Sequence, residues 1–158
     1  MTGRADRADP ADRADQPVTD ILRLLPHRPP LLLVDRVRDV VPGESLTALK
    51  AVSANEPWCV DLGDFPPTLL LESWCQAAVL LSSWGQPATD RVVLFGAMAD
   101  VEFHRPVTPG CVVRHSVRVL DARGDTVAFT GRSEADGHVV MTVGRVVTTA
   151  RAAADLHS

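Results

Sequence analysis

Tyrosine is absent from this 158-residue chain, and aromatic residues make up only 4% of it. Any core must therefore be built mainly from Val, Leu and Ala. Lysine is almost absent too: of 16 basic residues only Lys50 is lysine. The formal net charge of −4 and the lack of a clustered basic stretch argue against nucleic acid as a partner. Cysteine is scarce, with Cys59, Cys75 and Cys111, and no C-x-x-C pair occurs. An odd count without that spacing supports neither a disulfide framework nor a zinc knuckle, so no metal or other cofactor is expected. A reducing cytosol is the simplest home. The first 17 residues contain no apolar run, so no signal peptide is expected there.

What is present begins with that opening stretch, a low-complexity Ala/Asp/Arg tract over residues 1–17. It has too little apolar surface to offset its ordering entropy and reads as a disordered tail. A single domain is expected over 18–150, followed by a short tail, 151–158. Near Val18 a short helix should start, capped by Thr19 and burying Ile21, Leu22, Leu24 and Leu25. Pro26 ends it. Strand-like runs follow at Leu32–Val41 and Ser45–Ala54, joined by Pro42-Gly43. Four more lie at Arg91–Phe103, Cys111–Leu120, Thr126–Ala135 and His138–Thr149. Hairpin chemistry at 121–125 and at Asp136-Gly137 joins the last three.

Between the two groups of strands lies Thr68–Trp84, 17 residues without Gly or Pro and rich in Leu and Ala. A helix of about 25 Å is predicted, with Pro66 and Pro67 at its start and Gly85 and Pro87 at its end. It is apolar nearly all round, so most faces should be buried. It falls short of the ~20 residues of a membrane span and contains Glu72 and Gln76, so no membrane partner is expected. The fold class is α+β: about six mainly antiparallel strands curved around one long central helix. A single sheet so wrapped leaves edges uncovered, which favours dimerisation.

Glu72 is the lone acid of that helix. Gln76 follows one turn later on the same face, and Ser83 extends the stripe. A carboxyl in apolar surroundings resists ionising and can serve as a proton donor, as a general acid must. The plainer alternative is that Glu72 pairs with an Arg or stabilises the helix start. Gln76 alone reads as an anchor for a strand backbone.

Four segments occur in order: LLPHRPPLLLVDRV (24–37), NEP (55–57), LLLESWCQAA (69–78) and FHRPVTPG (103–110). Together they resemble the 3-hydroxyacyl-acyl-carrier-protein dehydratases of the β-hydroxymyristoyl type, over roughly residues 20–149. The resemblance implies a hot-dog fold assembled as dimers, often as trimers of dimers. It implies a 3-hydroxyacyl thioester on an acyl carrier protein as substrate, with the acyl chain in a tunnel at the dimer interface. It implies a histidine from one protomer taking the C2 proton. A carboxylate on the partner's central helix acts on the 3-hydroxyl. Glu72 matches that carboxylate and Gln76 the amide one turn on.

The departures are as informative. The family's histidine lies in a Gly-His-Phe-Pro loop soon after Asn-Glu-Pro. Here residues 58–67, WCVDLGDFPP, contain no histidine. One alignment sets Asp64 in its place. The other, which keeps the helix in register, sets Phe65-Pro66-Pro67-Thr68 against the Phe-Pro-Gly-Val that opens the family's helix and shortens the histidine loop by about four residues. It is the one preferred. Under it, Pro67 replaces a glycine whose N–H faces the thioester oxygen, and proline has no N–H. Base and donor are then lost together. Of the other histidines, His27 reads as structural, His104 precedes Arg105 in a turn, His115 lies on a strand, His138 in a hairpin and His157 in the tail. Arg105 is a candidate contact for the carrier protein.

Three readings follow, in order of preference. The chain contributes Glu72 to a heterodimer with a histidine-bearing hot-dog paralogue. Alternatively it is a non-catalytic pseudo-enzyme that stabilises a partner or holds an acyl chain. Or it is a homodimeric thioesterase or dehydratase using Asp64, although a carboxylate is a weaker base than histidine. Arg-rich, Ala-rich composition hints at a high-GC bacterium and at polyketide or polyene synthesis more than housekeeping fatty-acid synthesis.

Overall fold

The computed structural model describes residues 18–86 and 90–156. The tract 1–17, Pro87 and His157, with the expectations attached to them, lie outside those residues. Helix α1 spans Val18–Leu24, so it begins one residue ahead of the cap expected at Thr19. Ile21 and Leu25 are buried, while Leu22 and Leu24 are half-buried. Arg28 closes this helix by donating to the carbonyls of Leu22, Leu25 and His27 at 3.1, 2.8 and 2.7 Å.

Strands β1 (Arg36–Val41), β2 (Ser45–Ala51), β3 (Arg91–Phe103), β4 (Val112–Arg123), β5 (Thr126–Ala135) and β6 (His138–Ala152) form one sheet. Its order is β1-β2-β4-β5-β6-β3 and every pairing is antiparallel. Helix α3 (Pro67–Ser83) packs against β2, β4 and β5. Its run from Ser73 to Leu81 is buried without interruption, as an all-round apolar helix requires. The sheet alternates as a half-buried antiparallel sheet should: Val113, His115 and Val117 point in from β4, and Arg114 and Arg118 point out. Gly131 lies where β5 crosses under Trp74. A Cβ there would collide with the Ser116 carbonyl, which accepts the Trp74 indole N–H at 3.1 Å.

The structure revises several boundaries. Strand β1 starts at Arg36, not Leu32, because helix α3 takes the backbone groups of Leu31 and Leu33 that a sheet ladder would use. Strand β2 ends at Ala51. A helix that sequence reading missed, α2 (Pro57–Leu62), occupies the stretch where the histidine loop was sought. Strand β6 runs on to Ala152, so residues assigned to the C-terminal tail include the strand end and a 3-10 turn, Ala153–Leu156.

The two edges differ. Strand β1 is short and bulged between Arg38 and Val41. Strand β3 is 13 residues long, pairs among the described residues only with β6 and is exposed along nearly its whole length. It displays Val92, Leu94, Phe95, Met98 and Phe103 to solvent in the single chain.

Candidate active site

Three polar side chains of α3, Glu72, Ser73 and Gln76, build the site. Gln76 is almost completely buried, and each of its polar hydrogens and its oxygen has an assignment. Its Oε1 accepts the Leu33 N–H at 2.9 Å. Its Nε2 donates to the Leu31 carbonyl at 2.8 Å and to Glu72 Oε1 at 3.0 Å. The amide orientation is thereby fixed, since Leu33 N–H needs an acceptor and the Leu31 carbonyl a donor. The expected role of Gln76 as a backbone anchor and its place beside Glu72 are therefore one and the same arrangement.

Ser73 continues this clamp. Its hydroxyl donates to the Leu33 carbonyl at 2.7 Å. With its single hydrogen so used, Ser73 accepts from His115 Nε2–H at 2.8 Å. His115 Nδ1 then carries the lone pair and accepts from the Ser133 hydroxyl at 2.7 Å. Burial pushes this histidine down to about 3, so it stays neutral. His115 is thus a strut between sheet and helix with no access to a substrate.

Glu72 sits at the rim of this buried stripe. Its side chain is 42% exposed in the single chain, so its surroundings are less apolar than expected. On one side it receives Gln76. On another stands His27, whose Nε2 lies 3.3 Å from Glu72 Oε1. From sequence this histidine reads as structural. The structure instead brings it to the one acid of the helix, across 45 residues of chain. Sequence offers no signal for this approach, since it depends on the segment after His27 being clamped by Gln76 and Ser73. Next to Glu72, the Cys75 thiol is pushed up to about 12 by burial first and by the carboxylate second. It remains a thiol and is no nucleophile.

The loop before α3 has an unusual construction. Glu56 accepts Lys50 Nζ at 2.8 Å and the Ser53 N–H at 3.1 Å on Oε1, and the Trp58 indole N–H at 2.8 Å on Oε2. Lys50 is itself buried, so the Asn-Glu-Pro motif is a staple that holds α2 to β2. Phe65 N donates to the Val107 carbonyl at 2.8 Å, and the chain passes through Pro66 straight into Pro67, the first residue of α3. Asp64 is exposed in the intervening turn and makes no hydrogen bond or ion pair with His27, Glu72 or Gln76.

Other candidates lie elsewhere. Ser83 lines a separate cavity of about 570 Å³ at the far end of α3, with Arg23 and Arg91. Arg105 is exposed beside a smaller cavity of about 300 Å³ that also reaches Cys111 and His138. His104 is exposed and bonded to Thr142 Oγ1 at 3.0 Å. Among the described residues no helix is long and apolar enough to cross a membrane.

Comparison with known proteins bears on the family and the fold. Residues 25–144 match the FabA-like domain. The chain is 38% identical over 135 residues to the 3-hydroxyacyl-acyl-carrier-protein dehydratase FabZ of Vibrio cholerae, covering 82% of this chain and 88% of that one. It is 37% identical over 132 residues to FabZ of Shewanella loihica, covering 78% and 85%. Among solved structures, the dehydratase heterocomplex ApeI:P from Xenorhabdus doucetiae superposes with a TM-score of 0.77 at 21% identity, over 87% of this chain and 94% of that one. A hot-dog-like protein from Thermanaerovibrio acidaminovorans superposes at 0.60 and 18% identity, over 73% and 87%. The fold is the hot-dog fold.

Proposed function

The chain belongs to the FabA-like domain family, and we propose that within it this protein is the acid-bearing subunit of a heteromeric 3-hydroxyacyl-acyl-carrier-protein dehydratase. The observation that carries this reading is the pairing of a built acid with a missing base. Glu72 is oriented by Gln76 and His27, while the stretch between Asn55 and the helix holds no histidine. Under this reading a histidine of a hot-dog paralogue removes the C2 proton of the acyl thioester. The C2–H electron pair forms the C2–C3 double bond, the C3–O bond breaks, and Glu72 delivers a proton to the leaving hydroxyl, which departs as water.

Two further observations support it. Pro67 removes the N–H that would face a thioester oxygen at the start of α3, so both losses fall on one side of the site. Strand β3 offers a long apolar edge of the kind that a second hot-dog chain would cover. A named heterocomplex among the structural neighbours makes a two-chain dehydratase a natural precedent. The acyl carrier protein would approach near Arg105. A cytosolic, bacterial, polyketide-type pathway fits the composition.

The test is co-expression with a hot-dog paralogue carrying the Gly-His-Phe-Pro loop, followed by dehydration of a 3-hydroxyacyl carrier protein. The lone chain should be inactive and the complex active, and Glu72→Gln in the complex should abolish turnover. Turnover by the lone chain that dies with Asp64→Asn would replace this reading with the homodimeric one. Loss of complex stability without loss of rate on Glu72→Gln would favour the pseudo-enzyme.

A further inference from the structure

We infer that His27 is a positioning residue for Glu72, and that it and Gln76 together dedicate Oε1 to holding the carboxyl, leaving Oε2 as the oxygen that carries and delivers the proton. The inference deepens the reading above and rests on it for its catalytic meaning, but its geometry stands alone.

Both neighbours converge on the same oxygen. Gln76 Nε2 donates to Oε1 at 3.0 Å, and His27 Nε2 lies 3.3 Å from that same Oε1. A carboxylate offers only acceptors, so the imidazole hydrogen is on Nε2. His27 Nδ1 is buried and has no hydrogen-bond partner among the described residues, so none of them competes for the hydrogen on that side. With the Gln76 N–H bonded to Oε1 and the His27 Nε2 set 3.3 Å from that same oxygen, a proton arriving on Glu72 settles on Oε2.

His27 is also held in place from behind. Arg28 Nη1 donates to the His27 carbonyl at 2.7 Å and to Leu25 at 2.8 Å, locking the backbone from which the imidazole projects. Beneath it, Leu31 and Leu33 are bolted to α3 by Gln76 and Ser73. The Pro-His-Arg motif and the helix motif are therefore two ends of one device. The motif supplies a donor, the helix supplies the acid, and the clamped segment sets their spacing. A side chain that held only the fold would not need its donor nitrogen aimed at a solvent-accessible carboxyl.

Two measurements test this. The first needs no turnover: ¹⁵N NMR of the His27 imidazole in the full chain should show the Nε2–H tautomer, with its resonance moved by Glu72→Gln. An Nδ1–H tautomer, or a resonance blind to Glu72→Gln, would overturn the inference. The second uses the active complex. His27→Ala should lower kcat at least 10-fold with KM within twofold. His27→Gln, whose amide N–H reaches the Nε2 position, should recover most of that loss. Equal activity of wild type and His27→Ala would overturn it. A wild-type complex without activity would sink the dehydratase reading instead, and the tautomer alone would then decide the placement of His27.

Discussion

Two histidines touch the same turn of helix α3, and they do opposite things. His115 meets Ser73 and His27 meets Glu72, side chains that are adjacent in sequence and about 100° apart around the helix. His115 is fully buried, both ring nitrogens are bonded, and its charge is suppressed. His27 is part-exposed, has one nitrogen 3.3 Å from a carboxylate oxygen, and faces an acid that solvent can reach. The rotation of one residue along the helix separates a strut from a working group. Residue type alone does not distinguish them; the face of the helix does.

The strongest way to break this contrast is to exchange the two phenotypes. Glu72→Gln should cost the heteromeric complex at least ~10³-fold in kcat, about 4 kcal/mol of barrier, while leaving the thermal midpoint of the chain within 2 °C, read by calorimetry beside the assay. A matched loss of stability would place Glu72 with the struts. Next in size, His115→Ala should destabilise the chain by about 3 kcal/mol in urea unfolding, because it opens a cavity and leaves the Ser133 hydroxyl without its partner. Turnover per folded molecule should stay within twofold of wild type.

Gln76→Leu sharpens the comparison from the other side, since Gln76 serves both groups. It strands the Leu33 N–H and the Leu31 carbonyl, for about 2 kcal/mol, and it also frees Glu72. Stability and kcat should fall together, unlike in either single-role variant.

A smaller effect concerns pH. His115 titrates at about 3 when folded, against 6.5 in an unfolded chain. The unfolded state therefore binds the extra proton between those values. The stability that neutral His115 contributes is complete above pH 6.5 and is lost as pH falls toward 3, with a slope approaching about 1.4 kcal/mol per pH unit. Unfolding free energies from pH 6.5 to 4 should decline less steeply in His115→Gln than in wild type. Parallel curves would mean that the folded histidine is not held neutral. Smallest of all, Asp64→Asn should change the turnover of the complex by less than twofold, since its side chain is exposed and unconnected to Glu72.

Much of this was legible from sequence, and the boundary of legibility is physical. Helix α3 shows in composition because burial on all sides demands an unbroken apolar run, and Pro and Gly mark its ends. Strands β3, β5 and β6 begin where their runs begin. Glu72 and Gln76 stand out because polar residues are rare on such a helix. Helix α2 did not show, because six residues with Pro at their start carry no helical period and owe their conformation to the Glu56 staple. The start of β1 was misplaced because side chains of α3, not a neighbouring strand, satisfy Leu31 and Leu33. The approach of His27 to Glu72 was hidden for the same reason: the two lie 45 residues apart, and only the clamped segment brings them together. His115 was within reach, since the alternation Val113, His115, Val117 points it inward.

The most direct test of the central claim uses a complex in which each half-site is supplied by one chain only. The paralogue keeps its loop histidine and has its own helix carboxylate replaced, while this chain is wild type. Dehydration of a 3-hydroxyacyl carrier protein should proceed in that complex and vanish when Glu72→Gln is introduced here. Absence of turnover in the first complex, or turnover that survives Glu72→Gln, would contradict the account.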